Sequence, residues 1–574
     1  VLWVRFWGQQ AIILAVIVAV ASWIGGYLAK AFDHKPAALD GWFRPIENGL
    51  LRLVGYRNHV PAMTWRQYTA ALLWSNLFMA LLLYTVLVLQ GHLPFNPQHL
   101  PGMEPTLAFN TAASFITNTN WQAYTGETTL SNFSQMAAIT FPMFTSAATG
   151  FGAAIAFIRG LIGRPHLGNF YEDMIRLIVR ILLPGAILAG LLLVLAGVPQ
   201  TLAPTVHITG PQGLAQAIPR GPVASLDSIK HFGTNGGGFY GQNSAHPLEN
   251  PTPLSCALQA LLMSALPAAL PFAFGRMLGR PRQGWVIFLG MAAMFLIFQV
   301  VIVCAEVAGN PMLTRAGLDQ AMSAWQAGGS MEGKEVRFGE ALTSLFTTCT
   351  TAMTTGTVNC MHDSLTPMGG FVPLSLMMLN CVYGGKGVGF MNYMMYGILA
   401  VFLAGLMVGR TPELFGKKIE QPEMLLASLS ILFHPLFIIA PTVVAVLLPM
   451  ALSSLNNLGY HGFTEILYAY TSAVANNGSA FAGLNANTPW YNLSLGVMIL
   501  LGRYLSIIAL LAIAGSLMQK KRLAESPGTL KTDTPLFAVV WVAVIGLVGA
   551  LTFFPFVALG PIAEQGAMAH GRLF

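Results

Sequence analysis

The chain has 574 residues, of which 55% are hydrophobic and only 9% charged, against roughly 25% charged in an average soluble domain. Such a chain cannot cover its own surface with polar groups, and apolar runs of about 20 residues recur along it, so it reads as a polytopic membrane protein instead of about four soluble domains at roughly 150 residues each. Disorder, collagen-like repeats and small disulfide-knit folds are excluded, and the net charge of +7, from 29 Lys and Arg against 22 Asp and Glu, is a matter of membrane orientation and lipid headgroups before any nucleic acid.

In chain order, uncharged apolar stretches predict spans at about Ala11 to Ala29, Tyr68 to Gln90, Ser131 to Ile158, Leu177 to Gly197 and Pro253 to Gly275. The second half adds Gly284 to Ala305, Phe371 to Gly409, Met424 to Met450, Pro489 to Met518 and Pro535 to Val557. The seventh is too long for one straight crossing. The first run is long enough to span and no clear small-residue cleavage site follows it, so it reads as a retained helix and not a signal peptide.

Basic residues sort onto alternate connections. Lys30, Lys35, Arg44, Arg52, Arg57 and Arg66 follow the first span, and Arg159, Arg164, Arg176, Arg180, Arg276, Arg280, Arg282, Arg410, Lys417, Lys418, Lys520, Lys521, Arg522 and Lys531 follow on the same side. The positive-inside rule places those loops in the cytoplasm and both termini outside.

The four long outward connections share a pattern. Each has a short helical stretch, near Thr106 to Ile116, Ala224 to Phe232, Phe338 to Met353 and Thr464 to Val474, followed by a cluster rich in Thr, Asn and Gly. The clusters are Thr117-Asn118-Thr119-Asn120, Thr234-Asn235-Gly236-Gly237-Gly238, Thr354-Thr355-Gly356-Thr357 and Asn476-Asn477-Gly478-Ser479. One such cluster alone is a surface turn. Four on one side, each behind a helix too short to cross, read as re-entrant loops around a pore, because non-helical backbone at membrane depth must be buried in protein or line water.

The chemistry favours a dehydrated alkali cation. Its Born cost in low dielectric is of order 20 kcal/mol, so several oxygen dipoles must replace its water shell. Gly and Asn tolerate the backbone that points successive carbonyls at one axis, and Thr adds a hydroxyl. No cluster carries a central Asp or Glu, as a calcium site would. Lys386 and Arg503 are the two basic residues inside spans, and intramembrane charges are functional candidates by default. Arg503 reads as a cation bordering the ion path or as a lipid-facing side chain snorkelling to an interface, and Lys386 as an ion-path group or as an ammonium placed in water by a Gly-rich loop.

Cys256, Cys304, Cys349, Cys360 and Cys381 form no C-x-x-C pair, and His246 and His362 beside the clusters belong to no metal motif, so no metal is assigned to them. Neither G-x-x-x-x-G-K-[ST] nor Asp-Lys-Thr-Gly is present, so the chain is not expected to hydrolyse ATP by itself. No enzyme cofactor is expected.

The strings SFITNTNWQAYTGETTLS (114 to 131), FGTNGGGFYGQNSAHPLENPT (232 to 252), MEGKEVRFG (331 to 339), GLMVGRTPELFGKKIE (405 to 420), AVANNGSAFAGLNANTP (473 to 489) and the end from GTLKTDTPLF to LGPIAE closely resemble the KdpA family, the potassium-binding subunits of the Kdp potassium-pumping P-type ATPase. The resemblance implies an all-α polytopic fold of about ten transmembrane helices, with four pseudo-symmetric helix, pore-loop, helix repeats around a potassium filter. The corresponding units are 1–66 (extra helix and basic loop), 67–165, 166–282, 283–420 and 421–526 (the four repeats, the third with a Gly-rich broken helix) and 527–574 (extra helix).

It also implies filter positions at Asn118, Thr119, Thr234, Asn235, Gly236, Thr354, Thr355, Gly356, Asn476, Asn477 and Gly478, holding K+ as substrate ion. Gln122 and Asn243 fall at the vestibule or filter frame. Lys386 and Arg503 fall at the gate or ion path, the arginine resembling a family arginine that borders that path.

Two positions depart from the family: Thr354-Thr355-Gly356 stands where it carries Ser-Cys-Gly, and the break Tyr383-Gly384-Gly385-Lys386-Gly387-Val388-Gly389 contains a lysine the family lacks. The implied role is ion selection from outside and delivery through an intramembrane tunnel to a KdpB-like ATPase subunit, with KdpC-like and KdpF-like subunits, in a bacterial cytoplasmic (inner) membrane. Anionic lipid or a partner subunit is expected near Arg410, Lys417 and Lys418, and no nucleic acid. The alternative is a self-sufficient potassium channel or ion-gradient-driven transporter of the same superfamily.

Overall fold

The computed structural model describes residues 2–33, 35–57, 59–323, 326–409, 411–523 and 530–572. Arg410 lies outside them. Among the described residues ten helices are long and apolar enough to cross a membrane, one in each predicted stretch. They are α1 (Leu2–Phe32), α2 (Trp65–Leu89), α4 (Asn132–Leu161), α5 (Phe170–Leu195), α7 (Pro253–Leu278), α8 (Pro281–Val307), α11 (Val388–Val408), α12 (Gln421–Leu447), α14 (Pro489–Gln519) and α15 (Pro535–Val557). Among the shorter helices between spans, four precede the predicted clusters: α3 (Pro105–Ile116), α6 (Val223–Phe232), α9 (Gly339–Ala352) and α13 (Gly459–Val474); another, Asp40–Leu53, lies between the first two spans. The overlong seventh stretch is broken into α10 (Pro367–Leu379) and α11, joined by a Gly-rich strap.

Helix starts follow local chemistry. Thr64 and Gln67 close a capping box on α2, Thr252 and Ser255 another on α7, and Thr488 and Thr534 cap α14 and α15 ahead of a proline in the first turn. α5 starts seven residues earlier than apolarity alone predicts, because Asn169 caps it through the Tyr171 N–H at 3.0 Å and its charged first turns are paired inside the protein: Asp173 takes two hydrogen bonds from Arg159, at 2.8 and 3.0 Å. α13 also begins earlier than expected, at Gly459, with His461 held between Asp363 and Glu564. A small exposed hairpin, Val206–Thr209 with Ala215–Ile218, rises before α6; hydropathy gave no sign of it.

In each of the four span, short helix, span units the second span is the more buried. The extreme case is the first, with 89% of the α4 window buried against 22% for α2. The outer helices present apolar side chains outward, such as Leu188, Leu191 and Leu195 on α5 and Val539, Leu547 and Leu551 on α15, as a lipid-facing surface requires. α1 packs on α7 at glycine contacts: a methyl group on Gly25 would press on Ala269 and Phe272.

Candidate ion-binding site

The four short helices end at the four clusters, and each cluster starts with the same turn. With the first loop counted from Asn118, the first residues, Asn118, Thr234, Thr354 and Asn476, have φ of 63, 52, 45 and 53°. The third residues, Asn120, Gly236, Gly356 and Gly478, have φ of 56, 92, 89 and 94°. Left-handed backbone at alternate positions turns successive peptide groups to the same side. It also explains the residue types, since only Gly, and less often Asn or Asp, adopts it at low cost. The two threonines at first positions carry strain of order 1 kcal/mol each, and their hydroxyls are used, as described below.

The amide groups of each loop are tied back to its own helix. Thr119 N–H donates to Ser114 O (3.0 Å), Asn235 to Lys230 O (2.8 Å), Thr355 to Thr350 O (2.8 Å) and Asn477 to Ser472 O (2.9 Å). Third-position amides follow: Asn120 reaches Ser114 O at 3.2 Å, Gly236 reaches Lys230 O at 3.1 Å and Gly478 reaches Ser472 Oγ at 3.0 Å. With donors spent on the helix, the loop carbonyls are left to face away from it. They sit just past helix C-termini, where the peptide dipoles amount to roughly half a negative charge.

The loops close on one another. A Cβ on Gly236 would overlap the carbonyl oxygen of Thr355, one on Gly356 that of Asn477, and one on Gly478 that of Thr119. The second, third and fourth loops thus each press a glycine on the middle carbonyl of the next, the fourth reaching the first. Between the first and second, Asn118 Nδ2 donates to Thr234 O at 2.8 Å, and Asn235 Nδ2 bonds Asn118 Oδ1 and Met143 O. Asn477 Nδ2 donates to Thr350 O at 3.0 Å and Asn476 Nδ2 to Thr119 Oγ1 at 3.1 Å. The ring is four-membered and uncharged.

On one side of the ring lies a cavity of about 430 Å³ whose lining includes Asn120, Gln122, Asn243, Gly356 and Gly478. Gln122 does two things there: it lines the cavity, and it clamps the first loop to the second through Gly238, accepting from its N–H at 2.9 Å and donating to its C=O at 3.0 Å. Asn243 closes only a local turn on Gly241 O. His362 also reaches this cavity. Burial pushes its imidazole down to about 3, so it is neutral, with Nδ1 at 2.8 Å from Tyr468 OH.

Several buried charges around the ring are paired, and Lys334 and Glu335 also line this cavity. Lys230 pairs with Asp227 at 2.7 Å and with Glu249; Lys334 pairs with Glu306 at 2.7 Å; His461 sits between Asp363 (2.9 Å) and Glu564 (2.7 Å). Asp363, His461 and Glu465 form the one His, Cys and carboxylate group among the described residues compact enough for a metal. Both imidazole nitrogens already face carboxylates.

On the side opposite this cavity the strap between α10 and α11 runs against the ring. Gly385 N–H donates to Thr354 Oγ1 at 2.6 Å and Lys386 N–H to Thr234 Oγ1 at 2.8 Å. Lys386 is 1% exposed, and its ammonium contacts Asn476 O and stands 3.5 Å from Asn118 O. It is therefore not in water. Arg503 is 1% exposed too and donates to Ser146 O at 3.2 Å, so the lipid-facing alternative does not describe it. Asn120 belongs to the first cluster but not to the implied filter positions, although it follows Asn118 and Thr119 as Gly236, Gly356 and Gly478 follow their partners. The signal was register: Asn is the residue after Gly best suited to a left-handed position.

Residues 11–565 match the family described as the potassium-transporting ATPase A subunit. The chain belongs to the KdpA family. Among its relatives is the potassium-transporting ATPase potassium-binding subunit of Delftia acidovorans, 52% identical over 570 residues and 99% of each chain. That of Alicyclobacillus acidocaldarius is 53% identical over 563 residues, 97% of this chain and 99% of the relative. The fold resembles the crystal structure of the potassium transporter TrkH from Vibrio parahaemolyticus, at a TM-score of 0.51 and 15% identity, with 87% of this chain and 97% of that one covered. Membership in KdpA thus agrees with the expectation drawn from the loop strings, and the TrkH likeness with the multi-pass helical fold.

Proposed function

We propose that this chain is the potassium-binding and translocating subunit of an ATP-driven potassium uptake complex, and that the ring of four loops is its selectivity filter. The observation that carries the reading is the closure of the ring: four short helices aim their C-termini at neutral loops whose amides are tied back and whose middle carbonyls abut the next loop. Such a ring replaces a hydration shell with oxygen dipoles and offers no carboxylate to a divalent ion. The filter atoms are carbonyls of Asn118, Thr119, Thr234, Asn235, Gly236, Thr354, Thr355, Gly356, Asn476, Asn477 and Gly478, with Asn120 completing the first loop. Potassium enters from the outer cavity framed by Gln122 and Asn243.

Lys386 and Arg503 lie on the inner side, where two cations oppose straight passage and favour sideways delivery to a KdpB-like P-type ATPase subunit. The names of the relatives support that partner. KdpC-like and KdpF-like subunits, anionic lipid at Lys418, an inner-membrane location and outward termini complete the reading; Lys417 does not fit the lipid role, because it is buried with its ammonium on Lys520 O. The test is ATPase activity of the purified complex titrated with K+, with Rb+ and Na+ as competitors. Activation at low K+, weaker with Rb+ and absent with Na+, is expected; sustained K+ flux through this chain alone in liposomes, without ATP, would overturn the pump-subunit reading.

A further inference from the structure

The underside of the ring is used unequally. The first residues of the second and third loops, Thr234 and Thr354, turn their hydroxyls to the strap and accept from the amides of Lys386 and Gly385. The first residues of the other two loops, Asn118 and Asn476, present backbone carbonyls to the Lys386 ammonium. Half of the ring therefore fixes the strap, and the other half receives its charge. Among the described residues no carboxylate pairs with Lys386. A neighbouring charge is another cation, since a Cβ built on Gly150 would touch both the Lys386 backbone and Arg503 Nη2. The dipoles that neutralise this buried charge are those that the preceding reading assigns to potassium.

We propose that the Lys386 ammonium is a tethered cation occupying the innermost ion position of the ring, so that potassium passes this point only in exchange for it. The inference rests on the reading of the ring as a potassium filter and adds a built-in competitor to it. An ammonium group suits the position as a compact, strongly hydrated point charge with donors only, so a set of carbonyls arranged for a bare monovalent cation also satisfies it. The strap can withdraw it. Lys386 has φ 51°, between Gly384 at 58° and Gly387 at 78°, so glycine pivots flank a lysine held in left-handed backbone by two threonine hydroxyls. While the ammonium is in place, the inner mouth is closed to a hydrated ion. A competitor that fills the site most of the time lowers apparent affinity by the fraction of time the site is free.

The test uses the whole purified complex. Replacing the ammonium by a neutral chain of similar length, Lys386→Met, is expected to lower the K+ concentration for half-maximal ATPase activation by about tenfold, corresponding to a site free about one tenth of the time. Lys386→Gln is a second neutral variant should the first not assemble, and equilibrium 86Rb+ binding reports the same shift without turnover. Half-activation that is unchanged or moves to higher K+ in the assembled neutral variants overturns the inference. A parallel Gly478→Ala variant, with Lys386 intact, tests the filter reading itself. If it keeps normal K+ activation the filter reading fails; if it loses activation while the Lys386 variants do not shift, only the tethered-cation inference fails.

Discussion

At the scale of single residues, the sites that matter are those whose backbone a side chain would spoil. Gly236 and Gly356 combine left-handed φ with a facing carbonyl that a methyl group would overlap, so relaxation must move the ring. Gly236→Ala and Gly356→Ala are each expected to raise the half-activating K+ concentration at least tenfold, about 1.4 kcal/mol, and to erode discrimination against Rb+ and Na+. Gly213→Ala is the control: its φ is 77° but nothing lies within 4 Å, so local strain should leave ion activation unchanged. Asn120 is the converse case. Asn120→Gly should hold affinity within about threefold, because glycine fills that position in the other loops, whereas Asn120→Val should behave like the ring alanines, a β-branched residue being an outlier at positive φ. Equal K+ titrations for the Gly and Val variants would count against the shared register.

At the scale of elements, each short helix must deliver its loop at one height, and buried ion pairs around the ring brace it there. The Lys230 cluster is the clearest. Lys230 accepts the Asn235 and Gly236 amides of the second loop on its carbonyl, while its ammonium binds Asp227 and Glu249, and Glu249 also accepts from Tyr240 N–H at 2.8 Å. Removing one partner of a buried pair typically costs about 3–5 kcal/mol, because a charge is left uncompensated. Glu249→Gln should therefore lower the thermal transition of the detergent-solubilised complex and weaken K+ activation together. A stable variant with unaltered K+ activation would show that the triad does not position the loop. The strap is the other decisive element: α10 and α11 read in sequence as one overlong span, and its excess length and the glycine run within it hinted at a break.

At the scale of the whole molecule, His461 at the start of α13 ties Asp363, ahead of α10, to Glu564 beyond α15, and this joint gives a pH dependence. Burial opposes charge on the imidazole, but hydrogen bonds and attraction from Asp363 and Glu564 outweigh it and raise the pKa to about 10, against about 6.5 in an unfolded chain. The stabilisation is thus complete below about pH 6.5 and is lost as pH rises through about 10. Thermal transitions measured across pH 6 to 11 should fall on the alkaline limb, and His461→Gln should remove that limb's contribution; an identical profile in the variant would refute the assignment. Orientation is tested at the exposed hairpin before α6. A cysteine in place of Gln212 should react with a membrane-impermeant maleimide added to intact cells, and reaction only after permeabilisation would reverse the topology.

The sequence by itself determined the ten crossings, the charge asymmetry of the connections and the four loop clusters, because span length, apolarity and the need for Gly or Asn at left-handed positions are properties of short local segments. The tertiary structure alone decided which carbonyl abuts which glycine, that Arg503 points inward and that the Lys386 ammonium reaches the ring. The strap lies under the loops through contacts with residues 31 and 152 positions away. A uniformly apolar helix such as α14 has no periodic polarity to tell its inward face from its outward one, so the direction of a single charge on it is set by packing.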